Sequence, residues 1–582
     1  MYKSVLRFLV VWTALGAFSQ VALAQNVKPR VHILKNGLRL IMLKRGDEPR
    51  IACGLAFRVG SVNERPGITG ISHLFEHMMF KGTKTIGTKD YEADKRIIAQ
   101  LDSVKALMRE EESKMREMMR HGLIDDMRKR ENWTERYKEL EKVFDQLIQK
   151  QREIIIKDEL DRIYTKHGAT GLNAFTGEDM TVYIINVPSN KLELFMWLES
   201  DRLLNPVFRE FYAERDVVYE ERRLRIESTP TGRYDVQFET MFWQSSPYNW
   251  PVIGWPSDLI AITREQAHEY FNTYYAPNNC SVVLVGDLDY DDTIRLAERY
   301  FGRLPRGRKE PPEVITMEVP QLAEKRMAAE AETTPQVRIW YHGVAHDHVD
   351  QPALDILTSL LSGKTGRLYK SLVLEKGIAT SVSAGIDARK YEGLIQVVGV
   401  AKEGHSPLEV EQAIYEEIEK LKTEPVSDYE LQKVKNQYAA SNFRRLQSNF
   451  FLMIQLAIYD VLSDWSYINT YPPKVQAVTA EDVQRAAKKY LTQENRNVLI
   501  YTRKESAEPE DPAIAALPEQ ARQMVKMMIG RIQQVNDPNQ LQMMISQMAS
   551  RMGQVQNDDQ RKAMEVVLQK ARQRLQELQQ KK

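Results

Sequence analysis

Apolar and polar positions along this chain fall into segments whose period identifies them. Val31-His32-Ile33-Leu34 and Leu38-Arg39-Leu40-Ile41-Met42 flank Asn36-Gly37, the pattern of a strand pair closed by a tight turn. Ile51 to Val59, Thr181 to Val187 and Ser281 to Val285 are further apolar runs of strand length. Between them, Gly70 to Phe80 has the spacing of an amphipathic helix.

The second half repeats this order. A strand is expected at Val337–Tyr341 and a helix at about 352–361. Paired strands follow at 378–386 and 393–400, then long helices at about 407–423 and 427–446, and a last strand at Asn497–Tyr501. Strands interspersed with helices, some of them paired as hairpins, predict an α+β fold built from two similar modules, each a mostly antiparallel sheet packed by helices.

Two segments stand outside the plan. From about 96 to 166 the chain is dense in charge, with Leu101, Val104, Leu107 and Met108 at helical spacing. After a break near His121-Gly122 and Asn132-Trp133-Thr134 come Leu140, Val143, Phe144, Leu147 and Ile148, which predicts an inserted helical hairpin. From about 510 the chain is rich in Gln and Met, a helical tail whose methionines offer an adaptable contact surface. The domain reading is an export signal at 1–24, a first module at 25–301, a linker rich in Pro, Arg and Lys at 302–320, a second module at 321–505 and the tail at 506–582.

The export signal rests on a basic start around Lys3 and Arg7, an apolar stretch from Phe8 to Phe18, and Val21-Ala22-Leu23-Ala24 before Gln25. That stretch is shorter than the roughly 20 residues a membrane span needs, so a periplasmic protein without a transmembrane helix in its mature chain is expected. With 81 basic against 80 acidic residues, no nucleic-acid partner is expected. Cys53 and Cys280 both fall in apolar strands, and the sequence leaves open whether they pair.

The candidate chemistry lies in His73-Leu74-Phe75-Glu76-His77. Residues four apart share a helix face, so two imidazoles can meet one cation with Glu76 beside them. H-x-x-E-H inverts the commoner H-E-x-x-H and is a zinc-peptidase signature. Further along, Glu214 and Glu221 stand seven residues apart, two helical turns, on one face of a charged helix.

Several segments in order now resemble the pitrilysin (insulinase-type) family of zinc metallopeptidases, over roughly residues 28 to 505. They are Ser72 to Thr83, Gly171-Leu172-Asn173-Ala174-Phe175-Thr176 with Thr181 and Tyr183, Glu214 to Glu221, and Tyr275-Ala276-Pro277-Asn278-Asn279. The resemblance implies a zinc endopeptidase acting on peptides or unfolded segments, with one Zn2+ per chain. It implies His73, His77 and Glu221 as metal ligands, Glu76 as the catalytic base, and Glu214 as a support behind the ligands. Glu220 competes with Glu221 but lacks the seven-residue phase with Glu214. The interval from His77 to Glu221 exceeds the family's usual span of roughly 75 residues by about 70, an excess that the inserted hairpin accounts for. Asn173 and Ala174 stand where the family's edge strand binds extended substrate.

One departure shapes the expected assembly. Where the resemblance calls for an Arg and a Tyr that contact substrate, this chain has Val373 or Leu374 and Thr380. A dimer is therefore expected, with a homologous zinc-less subunit supplying both. The alternative reading is a non-catalytic zinc-binding scaffold subunit.

Overall fold

The computed structural model describes residues 26–504, 511–535, 537–552 and 557–580. The stretch read as an export signal lies outside the described residues. The chain forms two compact units, 1–503 and 504–582.

The first sheet contains β1 (Arg30–Ile33), β2 (Arg39–Lys44), β3 (Arg50–Phe57), β4 (Thr170–Thr176), β5 (Thr181–Pro188) and β6 (Cys280–Gly286), in the order β1-β2-β6-β3-β5-β4. Only β2 and β6 run parallel; the other neighbours are antiparallel. Helix α1 (Ile71–Met78) follows β3. The inserted hairpin is α2 (Tyr91–Arg120) and α3 (Glu135–Ile154), and α4 (Phe211–Arg222) lies between β5 and β6.

The second sheet contains β7 (Lys325–Ala331), β8 (Gln336–His342), β9 (Ala379–Ala388), β10 (Gly393–Ala401) and β11 (Arg496–Arg503), in the order β7-β11-β8-β10-β9. Its one parallel pair is β7–β11. Strand for strand, this is the order and direction of β2-β6-β3-β5-β4, so the repeated pattern is a repeated topology and β1 is an addition to the first copy. Helix α5 (Gln351–Leu361) follows β8 as α1 follows β3. Edge strand β7, KRMAAEA, has too little apolar alternation to be read from sequence.

β3 and β6 are buried at nearly every position, so both faces of the sheet are covered. One face packs on the first core, built around Leu55, Phe57, Leu74 and Phe75. The other is covered by α6 (Asn449–Leu462), which comes from the second half of the chain. Met453, Leu456 and Ala457 of α6 pack with Ala52, Ala56, Val283 and Val285. The approach is close: a Cβ on Gly54 would stand 2.5 Å from Met453 Sδ. Cys53 and Cys280 are free and buried on these two strands, opposite Leu284 and Phe57 rather than each other.

The hairpin starts and stops differently from the sequence reading. Asp90 caps α2 by accepting from the Ala93 N–H at 3.0 Å, and Thr134 caps α3 by accepting from Tyr137 N–H at 3.1 Å. α3 ends at Ile154, and Glu159–Lys166 is a separate short helix. Leu101, Met108, Met115 and Leu147 form the buried stripe, whereas Leu107 and Val143 are exposed. Its base is anchored by Asp94, which accepts from Arg209 Nε at 2.6 Å and Gln151 Nε2 at 2.8 Å. The tail unit is helical, with Glu519–Gln533, Pro538–Met552 and Asp558–Gln580 closing on Val525, Ile532, Leu541, Ile545 and Val567.

Candidate metal centre

Helix α1 is held at its start and from below. Gly70 begins it with φ of 88°, and a Cβ there would strike the Ile253 carbonyl at 2.6 Å. The Glu64 carboxylate accepts from the N–H groups of Gly70 at 2.7 Å and Ser72 at 2.8 Å, satisfying amides at the helix start. Phe75 packs down onto Tyr270, Tyr275 and Phe208. With its apolar side fixed, α1 presents His73, Glu76 and His77.

α4 delivers the other carboxylates. Among the described residues, His73, His77 and Glu221 form a group whose donor atoms lie within 4.8 Å of one another. His77 Nε2 stands 3.4 Å and His73 Nε2 3.8 Å from the same oxygen, Glu221 Oε2. Four ligands at about 2.0–2.1 Å from a tetrahedral zinc are about 3.3 Å apart, so the three donors are spaced to close on one cation. Two imidazole nitrogens and one carboxylate oxygen suit zinc better than magnesium or calcium. Burial, with His77 and Arg225 beside it, pulls the His73 pKa down to about 3, leaving the ring neutral as a ligand must be.

Glu214 stands behind His77. Its Oε1 meets His77 Nδ1 at 2.9 Å and its Oε2 meets Lys81 Nζ at 2.5 Å. Burial works against the Glu214 anion, but the bonds from His77 and Lys81 outweigh it and its pKa falls. At His77 burial lowers the pKa, and Glu214, Glu221 and Glu76 together more than reverse that. Holding Nδ1 in this way turns Nε2 towards Glu221.

Glu76 is half-buried, and burial raises its pKa, with a hydrogen bond from Thr176 opposing. Thr176 Oγ1 donates to Glu76 Oε2 at 2.6 Å. Glu221 gives its other oxygen, Oε1, to Arg225 at 2.6 Å, on the π-helical turn Arg223–Glu227 that continues α4. Glu220 instead pairs with Arg223 at 2.9 Å and is half exposed. Lys81, Thr176 and Arg225 were not singled out from the sequence. Lys81 and Thr176 lay inside the quoted family segments, while no local pattern marks Arg225.

Asn173 and Ala174 lie on β4, the sheet edge, and line a cavity of about 600 Å3 shared with Glu76 and His77. The Asn173 amide oxygen accepts from the Ala174 N–H at 2.9 Å. In the second module, Val373 and Leu374 fall on a π-helical turn and Thr380 on edge strand β9. Helix α5, the counterpart of α1, offers no histidine.

A two-module fold with this site defines a class. In its repeated topology and inverted motif the chain resembles the insulinase-type M16 peptidases. Residues 40–101 match "Insulinase (Peptidase family M16)" and residues 261–438 match "Peptidase M16 inactive domain". The zinc protease PqqE of Helicobacter pylori is 25% identical over 469 residues, covering 79% of this chain and 89% of that protein. The uncharacterized zinc protease YmxG of Bacillus subtilis is 21% identical over 472 residues, 80% of this chain and 96% of that one. Among solved structures, a protease from Helicobacter pylori has a TM-score of 0.66 at 24% identity, covering 82% of this chain and 99% of that one. The periplasmic protease PqqL of Escherichia coli superposes with a TM-score of 0.61 at 16% identity over 86% of this chain and 50% of its own. No helix of the described residues is long and apolar enough to cross a membrane.

Proposed function

We propose that this chain is a zinc-dependent endopeptidase that hydrolyses peptides or unfolded segments. The observation that carries the reading is the convergence of His73 Nε2 and His77 Nε2 on Glu221 Oε2, with the Glu76 carboxylate alongside. His73, His77 and Glu221 would hold one Zn2+ per chain. When bound, the cation supplies Lewis-acid polarisation of the scissile carbonyl and lowers the pKa of the attacking water. Glu76, its basicity raised by burial, takes the proton from that water and returns it to the leaving amine. Glu214 and Lys81 fix the His77 ring. Extended substrate adds along the free edge of β4, where Asn173 and Ala174 face the cavity.

The test is cleavage of a quenched-fluorescent peptide library. Wild-type chain loaded with zinc cleaves, Glu76→Gln loses at least about a hundredfold, and His77→Ala binds no zinc. Zinc binding without any Glu76-dependent cleavage overturns the reading in favour of a scaffold.

The same reading has the chain exported to the periplasm and working as the zinc-bearing member of a dimer. The basic and apolar start of the sequence supports export. Val373, Leu374 and Thr380, in place of Arg and Tyr, support a zinc-less partner subunit. Full activity of the purified chain as a monomer, measured alongside its mass in solution, overturns the dimer.

A further inference from the structure

We propose that Thr176 is a positioning residue that orients the Glu76 carboxylate; this rests on the peptidase reading of the site. Its hydroxyl donates to Glu76 Oε2 at 2.6 Å. One carboxylate oxygen is thereby occupied by a neutral donor on a different element, and the carboxylate is fixed about its side-chain torsion. Oε1 is left to accept the proton. A half-buried carboxylate on a flexible side chain otherwise samples several rotamers, and the productive one would be populated only part of the time.

The donor sits on a rigid mount. Thr176 pairs with Thr181 at the closed end of β4–β5, and the Gly177 N–H donates to Met180 O at 2.9 Å across the turn. Thr181 Oγ1 donates to Val59 O at 3.0 Å, and the Val62 N–H donates to Glu178 O at 2.9 Å. Gly60 lies so close beneath the turn that a Cβ there would stand 2.3 Å from the carbonyls of Gly177 and Glu178. From the other side the second module holds the same turn. The Lys390 N–H donates to Asp179 Oδ2 at 3.0 Å and Arg389 Nη2 meets Glu178 Oε1 at 3.1 Å. Tyr248 OH donates to Asp179 Oδ1 at 2.8 Å. The second module therefore reaches Glu76 through a turn clamped on two sides and a single hydroxyl, although it contributes no donor to the metal group.

Valine has the shape and strand preference of threonine without the hydroxyl, so Thr176→Val tests the hydrogen bond rather than the strand. On one defined peptide from the cleaved library, T176V is expected to lower kcat by about 10- to 100-fold, the usual consequence of losing an orienting partner, with KM within about twofold. Thr176→Ser, which keeps the donor, restores kcat to within about threefold of wild type. T176V retaining wild-type kcat overturns the assignment. So does a T176S loss equal to that of T176V, or a loss that falls on KM. A tenfold fall in zinc affinity of T176V by chelator competition would place the role in metal binding and overturn it as well. Cleavage by E76Q at the wild-type rate is separate: it removes the peptidase reading and this assignment together.

Discussion

Asp460 is the test of how the two modules are joined. It lies on α6, its side chain only 1% exposed, and it faces three partners from the first module. Arg58 Nη2 is 2.5 Å from its Oδ2, Ser281 Oγ donates to the same oxygen at 2.6 Å, and Arg39 Nη2 is 2.7 Å from Oδ1. Asp460→Ala leaves two guanidinium groups without their anion at the seam. Breaking a fully buried pair costs about 3–5 kcal/mol. Arg39 and Arg58 are 29% and 21% exposed, and Arg39 keeps Asp464 at 3.2 Å. Water and Asp464 recover part of that, so a loss of about 2–3 kcal/mol is expected. Urea unfolding followed by tryptophan fluorescence measures it, and a double-mutant cycle with Arg58→Ala isolates the pair, with a coupling of about 1–2 kcal/mol expected. A change under about 0.5 kcal/mol, or effects of D460A and R58A that simply add, would refute the seam as described.

Arg209 is the counterpart inside the first module. It is buried against Asp94 at 2.6 Å and donates to the carbonyls of Lys81, Thr83 and Ile86. Arg209→Met should destabilise by about 3–5 kcal/mol in thermal unfolding and expose residues 81–87 to limited proteolysis; unchanged protease resistance would count against the anchor. The pH response of the module junction follows from two carboxyls raised by burial. Glu239, facing Arg389, Glu178 and Asp387, is pushed up from 4.5 to about 7, and Asp179, facing Tyr248 and the Lys390 N–H, from 3.8 to about 6. The folded chain binds more protons than the unfolded one across that window, so stability from this junction is present below about pH 4 and falls as pH rises towards 7. Thermal midpoints of Glu239→Gln and Asp179→Asn should show a flatter pH dependence than wild type; parallel curves would exclude these groups as its source.

The part of the candidate site carried by α1 was legible because it is local. His73, Glu76 and His77 fall within five residues, and helix geometry alone places them on one face. Glu221 was legible only through the family resemblance, since 144 residues separate it from His77 and a charged helix alone does not reveal what it faces. Thr176, Lys81 and Arg225 depend on how β4, the end of α1 and the π-helical turn after α4 meet in space, and no spacing rule encodes that. In the fold, the long apolar strands β3, β5 and β6 and the apolar stripes of the hairpin helices were readable. Strand β7 was missed because its alternation is diluted by Lys, Arg and Glu. α6 escaped notice for another reason: Asn449-Phe450-Phe451-Leu452-Met453 has an apolar face whose partner is a sheet more than 160 residues earlier in the sequence.

That last arrangement means that the covalent boundary and the packing boundary of this protein do not coincide. The stretch 302–320, read from sequence as a linker and without helix or strand, lies between the strands of the two sheets, but α6 is covalently part of the second half and structurally the outer lid of the first sheet. A fragment cut at the linker would carry every residue of the metal group and still be incomplete, with Ile41, Ala52, Ala56, Val182, Val283 and Val285 left as an open apolar surface. Duplicated topology thus hides a mutual dependence, in which the half bearing the metal group relies for its solubility on a helix supplied by the other half, while Phe238 of the first half packs on Leu499 and Tyr501 of the second sheet.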